Sequence, residues 1–238
     1  MICITHLSKS FDGQCVLDDI NLEINEAEIF VILGESGTGK SVFLKHLIGL
    51  LKPDQGNIKI GSEDITHFSE RELLEMRKKI GYLFQEGALY DFMTVFENVA
   101  FPLREHTRYD NAQIDQKVQE VLHLVDLQDV DNRYPSQLSG GMRKRVGLAR
   151  AIVLGTKILF CDEPTSGLDP IRSRDISNLI RQISQKMGCT TVMTSHDIQN
   201  SLRIADRLAL MHEGKIVAVG TARQLRLSEN SFVRQFIS

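Results

Sequence analysis

At 238 residues, with 42% hydrophobic and 25% charged, the chain has room for one large globular domain or a domain with an inserted lobe. A formal net charge of -3, from 28 Lys+Arg against 31 Asp+Glu, excludes a nucleic-acid binder that works by bulk charge. The 4 cysteines, Cys3, Cys15, Cys161 and Cys189, have no CxxC spacing or attendant histidines, which argues against zinc and a disulfide framework and for small buried side chains in a reducing compartment.

The N-terminal MICITHLSKS has neither a basic start nor an apolar core, so no signal peptide is expected there. No apolar run approaches the roughly 18 residues that span a bilayer. Strand-like runs follow one another in MICITHL, VLDDINLEI and IFVIL. IFVIL, at 29–33, is apolar throughout, the pattern of a strand buried on both faces. GESGTGKS comes next, and VFLKHLIGLL reads as a helix closed by Pro53. A strand GNIKI and a polar helix around RELLEMRKK lead to a second buried run, IGYLFQ at 80–85.

From Glu86 to about Arg133 the periodicity is helical; Ile114, Val118, Val121, Leu122 and Val125 share one face. A helix opens at Ser139, KILFCDE is a third buried strand, and DPIRSRDISNLIRQISQKMG is a helix. TTVMTSHD is a strand reaching a histidine, and LALMHEGKIVAVG a hairpin turning at Glu213-Gly214. Strands alternating with helices predict an α/β fold with a mostly parallel core. The expected division is a core with a β subdomain over 1–85 and 151–238, and a helical lobe over about 86–150.

GESGTGKS, at 34–41, fits the phosphate-loop pattern and sits between a buried strand and a helix, where that pattern works. The glycines let backbone N–H groups converge on phosphate oxygens at a helix N-terminus. Lys40 can neutralise the β and γ phosphates of ATP, and the Ser41 hydroxyl can ligate Mg²⁺. FCDEPTSGLDP supplies a second half: Asp162 ends a hydrophobic strand, suited to holding Mg²⁺ directly or through water. Glu163 can polarise an attacking water.

Gln85 follows an apolar strand and can serve as a metal or water ligand; a solvent-facing glutamine is the plain alternative. His196 ends another strand and can bond the γ-phosphate, against the plain alternative of a structural histidine. LSGGM at 138–142 opens a helix with a second set of anion-ready backbone donors. One nucleotide has no use for two phosphate cradles from one copy, so the sequence points to a site shared between two subunits.

GESGTGKS, Gln85, LSGGM, ILFCDEP, SGLD at 166–169 and His196, in that order, resemble the ATP-binding subunit of an ABC transporter. The resemblance covers nearly the whole chain. It implies a RecA-like core, an N-terminal antiparallel β subdomain and an inserted α-helical subdomain. It also implies a homodimer in which Ser139, Gly140 and Gly141 of one copy meet the ATP of the other. Gly34, Glu35, Ser36, Gly37, Thr38, Gly39, Lys40, Ser41 and Val42 would line the nucleotide, with Phe11 stacked on adenine and Val16 beside it. Ser166, Gly167, Leu168 and Asp169 would link the two sites.

Met142 replaces the family's usual glutamine, and Phe11 its more usual tyrosine. SGGMRKRVGLARAI, LFQEGALYDFMTVFENVAFPLREHT at 83–107 and VRQF at 233–236 are similar to the ATPases of Mce-domain lipid transporters, including the maintenance-of-lipid-asymmetry type. That subgroup implies a peripheral protein on the cytoplasmic face of the inner membrane, a polytopic permease, an Mce-domain protein and a STAS-domain regulatory subunit, with no nucleic acid. Leu89, Phe92, Met93, Val95 and Phe96 offer apolar area for the permease, unless they are lobe core. An ABC subunit for another cargo is the near rival, and an ABC ATPase acting in DNA repair or on ribosomes the distant one.

Overall fold

In the computed structural model, which describes residues 1–238, the chain forms two compact units, Met1–Arg77 with Thr190–Ser238, and Lys78–Cys189. The first begins with β1 (Ile2–Phe11) and β2 (Gln14–Ile24), an antiparallel pair closed by Asp12 and Gly13, both at positive φ. Two such residues make a tight turn that matches the twist of the strands. β3 (Ile29–Leu33) is buried at all five positions, as its unbroken apolar run requires.

The phosphate loop leads into α1 (Lys40–Leu47), which is shorter than the expected helix running to Pro53. Gly49 is the reason. It sits at φ 67 after the cap residue Ile48, its N–H bonds the His46 carbonyl at 3.0 Å, and the Leu50 N–H bonds Lys45 at 2.9 Å. This paired closure is the glycine-centred helix stop, and it acts four residues before the proline.

β4 (Gln55–Ile60), β5 (Glu63–Asp64) and α2 (Glu70–Arg77) complete this stretch, the strands giving a four-stranded sheet in the order β2-β1-β4-β5. Its pairings are antiparallel throughout.

The second unit opens with β6 (Ile80–Leu83) and continues into α3 (Val95–His106) and α4 (Asn111–Leu124). α3 starts with a reciprocal capping box between Thr94 and Glu97, and α4 with one between Asp110 and Gln113. The α4 face read from the sequence is buried: Val118 and Val125 are fully enclosed, Ile114, Val121 and Leu122 nearly so. Then come α5 (Gly140–Ile152), β7 (Ile158–Asp162), which pairs in parallel with β6, and α6 (Pro170–Met187). The expected lobe, 86–150, falls wholly within this unit.

The chain then returns to the first unit with β8 (Thr190–Ser195), α7 (Ile198–Ile204), β9 (Arg207–His212) and β10 (Lys215–Gly220). β3 lies between β8 and β9, parallel to both, and β10 closes on β9 as the predicted hairpin. Two short helices not anticipated from sequence follow, α8 (Ala222–Arg226) and α9 (Ser231–Ile237). All four thiols are free, but they are not uniformly buried as expected. Cys161 and Cys189 are; Cys3 is half-buried, and Cys15, next to the β1–β2 turn, is exposed.

Candidate nucleotide site

In the first unit, the loop between β3 and α1 has a shape that only glycine permits at two points. A Cβ on Gly34 would lie 2.5 Å from the Met211 carbonyl oxygen. One on Gly39 would lie 2.9 Å from the Val16 carbonyl oxygen, and Gly39 is also in the left-handed region at φ 98. Contacts that short force the backbone to move. The buried Lys40 ammonium turns back to donate to the carbonyls of Gly34, at 2.9 Å, and Glu35, at 2.8 Å. A buried cation held at the mouth of a helix N-terminus, beneath a glycine-shaped loop, is chemistry for phosphate.

A cavity of about 400 Å³ opens beside this loop. Glu35, Ser36, Gly37 and Thr38 form one wall, Gln14, Cys15 and Val16 another, and His212, Glu213 and Gly214 a third. Val16 thus lines the cavity beside the phosphate loop. Phe11 is not among the lining residues; it is 39% exposed on the β1–β2 hairpin, with the Lys9 ammonium 5.4 Å from its ring centroid. The β9–β10 turn was not foreseen as a wall. Gly214 brings it there: its carbonyl accepts from the Asp18 N–H at 2.9 Å, and a Cβ on it would lie 2.6 Å from the Val16 oxygen. His196 follows β8 and is exposed, and Asp197 caps α7 by accepting from the Asn200 N–H.

The second unit carries the carboxylates. Asp162 ends β7 and is buried, and Tyr82 on the neighbouring strand points its hydroxyl at the Asp162 carboxylate, 3.4 Å away. Burial, with the Asp162 charge adding to it, drives the Tyr82 hydroxyl far above the ordinary phenol range, so it stays a proton donor. Sequence gave no sign of Tyr82, which reads there as one more aromatic in a strand. Glu163 is half-buried at φ 41, a left-handed conformation that costs a residue with a side chain about 1–3 kcal/mol. Gln85 is exposed beyond the end of β6.

Parallel pairing sets Leu83 opposite Cys161, so the stretch carrying Gln85 and the pair Asp162 and Glu163 leave adjacent strands at the same end. The chain has no group of three or more His, Cys, Asp or Glu side chains built to hold a metal. A Mg²⁺ ion that is held mostly by phosphate oxygens and water needs only one or two protein oxygens, fewer than such a group supplies.

α5 begins as the motif predicts, with the Ser139 hydroxyl accepting from the Met142 N–H at 3.3 Å. The two glycines behind it are not demanded by packing. A Cβ on Gly140 would find Leu168 at 3.5 Å, ordinary contact, and one on Gly141 only Arg172 at 4.0 Å. Neither has positive φ. Glycine is a poorer helix former than alanine, and neither contact shows a packing reason for it here. Asp169 caps α6 by accepting from the amides of Ile171 and Arg172, and the Arg172 amide first of all holds its carboxyl below the usual carboxylate range.

The chain is similar to proteins of known family and fold. The family model described as "ABC transporter" matches residues 17–166. The probable ribonucleotide transport ATP-binding protein mkl of Mycobacterium leprae (strain TN) is 44% identical over 98% of this chain, which spans about two thirds (67%) of that protein. The methionine import ATP-binding protein MetN of Carboxydothermus hydrogenoformans is 43% identical over 100% of this chain and 72% of its own length.

The intermembrane phospholipid transport system ATP-binding protein MlaF of Haemophilus influenzae is 40% identical over 100% of this chain and 90% of its own. Among solved structures, the post-hydrolysis dimer of the ATP-binding cassette MJ0796 bound to ADP and Pi superimposes with a TM-score of 0.86 at 30% identity, covering 93% of this chain and 98% of that one. The phosphate loop, the strand-end carboxylates and the capped glycine helix thus belong to a member of the ABC transporter family, an ATPase cassette that works with ATP and Mg²⁺.

Proposed function

We propose that the chain powers movement of phospholipid through a separate membrane permease, acting as a homodimer with two ATP sites at its interface. The observation that carries the shared site is the start of α5, where a Cβ on Gly140 or Gly141 would meet only ordinary contacts, so the chain's own packing does not demand glycine at either position. A helix N-terminus cleared of side chains suits a close approach by phosphate. On this reading Ser139, Gly140 and Gly141 receive the γ-phosphate bound by the partner's phosphate loop, and Asp169 lies on the path between the sites.

Within each site Lys40 and the loop 34–42 hold the triphosphate, with Val16 against the nucleotide and Phe11 offered to adenine from the exposed edge of its hairpin. Ser41, Asp162 and Gln85 hold Mg²⁺, which neutralises phosphate charge. Glu163 takes the proton of the attacking water, and His196 bonds the γ-phosphate. The strained backbone at Glu163 supports its part, since such conformations collect where geometry is needed more than stability.

Glu163→Gln keeps ATP affinity while hydrolysis falls about 100-fold or more. Single-turnover hydrolysis and nucleotide titration of the purified chain check this, and normal turnover in the variant removes Glu163 from the role of base.

Lipid as cargo is supported by MlaF, the relative nearest in length of those compared, and by the similarity of residues 83–107 to lipid-transport ATPases. An importer for a small solute is the second reading, favoured by MetN at a similar identity. Purification of the tagged chain from detergent-solubilised membranes separates them. A polytopic permease with an Mce-domain protein, and a STAS-domain subunit if one is present, upholds the lipid reading and places the chain on the cytoplasmic face of the inner membrane. A permease accompanied by a solute-binding protein overturns it.

A further inference from the structure

Lys144, on the second turn of α5, is only 5% exposed, and its ammonium nitrogen has no hydrogen-bond partner in the protein. An ammonium taken from water without hydrogen bonds is among the more expensive things a fold can bury. Its surroundings identify what offsets the cost. Gly147 lies one turn on, on the same face. A Cβ there would sit 3.0 Å from the Leu83 side chain and 3.2 Å from the backbone of Gly87, so this face of α5 rests on the end of β6 and the segment after it.

The same helix is fastened to that segment again by Arg150, whose guanidinium donates to the carbonyls of Gly87, at 3.0 Å, and Ala88, at 2.8 Å. Because Leu83 stands opposite Cys161, Glu86 and Glu163 follow neighbouring strands at the same end of the pair. Burial pulls the Lys144 amine below the ordinary lysine pKa; Glu86 opposes this, Arg143 adds to it, and Glu163 opposes it as well.

We propose that Lys144 is a positioning residue for hydrolysis. Its buried ammonium attracts the Glu163 carboxylate and the Gln85–Glu86 segment at once, and so keeps the strand-end acid in register with the helix that carries Ser139, Gly140 and Gly141. This rests on the reading of Glu163 as the base. The cation is retained for alignment, at a cost in stability.

The test compares Lys144→Met, which keeps the volume and drops the charge, with Lys144→Arg, which keeps the charge. The purified full chain is used, with kcat and KM for MgATP and the melting temperature as readouts. Lys144→Met melts at or above the parent temperature, binds ATP with unchanged KM, and loses kcat by about 10- to 100-fold, the range expected of a misplaced reacting group. Lys144→Arg recovers most of that loss. Parent kcat in Lys144→Met, or a fall in melting temperature that accompanies the fall in kcat, overturns the proposal.

Should Lys144→Met fail to fold, Glu86→Gln decides, since Glu86 is exposed. A loss of kcat of roughly threefold or more at unchanged KM supports the electrostatic link, and parent kcat refutes it. Glu163→Gln separates the two readings: turnover in that variant removes the base assignment, whereas a dead Glu163→Gln beside a normal Lys144→Met removes only the role of Lys144.

Discussion

Gly214 shows how one missing side chain shapes the nucleotide cavity. With Glu213 at φ 46 and Gly214 at φ 76, the β9–β10 turn has two consecutive left-handed residues, and only the second lacks a Cβ. Gly214→Ala meets both the backbone penalty and the Val16 oxygen at 2.6 Å. The expected cost is about 1–3 kcal/mol, together with weaker ATP binding because Val16 is a cavity wall. Thermal melts and nucleotide titration check both.

His46 makes a pH-dependent contribution. Its Nδ1 is 2.8 Å from the Val42 carbonyl oxygen, its Nε2 is buried without a partner, and burial holds its pKa below the ordinary histidine value. The unfolded chain therefore binds a proton more readily than the folded one as pH falls through the ordinary histidine range. The stability is in place above about pH 6.5 and declines on acidification through the lowered folded value. Urea midpoints at pH 7.5 and 5.5 fall less steeply in His46→Leu than in the parent; equal slopes remove His46 from this role.

At the scale of elements, the segment between β6 and α3 is held by a residue that apolar patterning ignores. Asn98 is fully buried, accepts from the Tyr90 N–H at 2.8 Å, and directs its amide at the carbonyls of Tyr90, Met93 and Thr94 at 3.0–3.1 Å. Asn98→Ala strands those groups and costs about 2–3 kcal/mol, with earlier proteolytic cleavage within 88–94. Phe92 behaves differently: it is 75% exposed, so Phe92→Ser leaves the melting temperature nearly unchanged while reducing recovery of the proposed permease. The five apolar residues named from sequence thus divide, with Val95 in the core and Phe92 outside it.

This division could not be read from the sequence, because a short apolar run has the same composition whichever way it faces. IFVIL, by contrast, was legible to the residue, since only a strand covered on both sides is apolar at every position. The Glu213-Gly214 turn and the Asp169-Pro170 start of α6 were equally plain, as their local chemistry admits few alternatives. What escaped were the nonlocal facts. The approach of the β9–β10 turn to the phosphate loop depends on strand order, and α8 and α9 are too short to show periodicity.

At the scale of the whole molecule, the expected catalytic groups are divided between two bodies. Lys40, Ser41 and His196 lie in the first unit, and Gln85, Asp162, Glu163 and the glycine-rich helix start in the second. Ser139→Arg is expected to cost about 1 kcal/mol of stability, because it removes the α5 cap, while leaving ATP binding intact and abolishing the ATP-dependent dimer that Glu163→Gln accumulates. Light scattering on the single and double variants checks this.

The two glycines at the start of α5, which the chain's own packing does not require, have a consequence for how much protein a cell must make. If, as proposed, that helix end serves only a twin, it is idle when no twin is near, and output per molecule rises with abundance until the permease supplies the pairing. Dilution then acts as a brake on fuel consumption: stray copies away from the membrane burn little ATP, and specific activity measured across a hundredfold range of chain concentration climbs from near zero to a plateau.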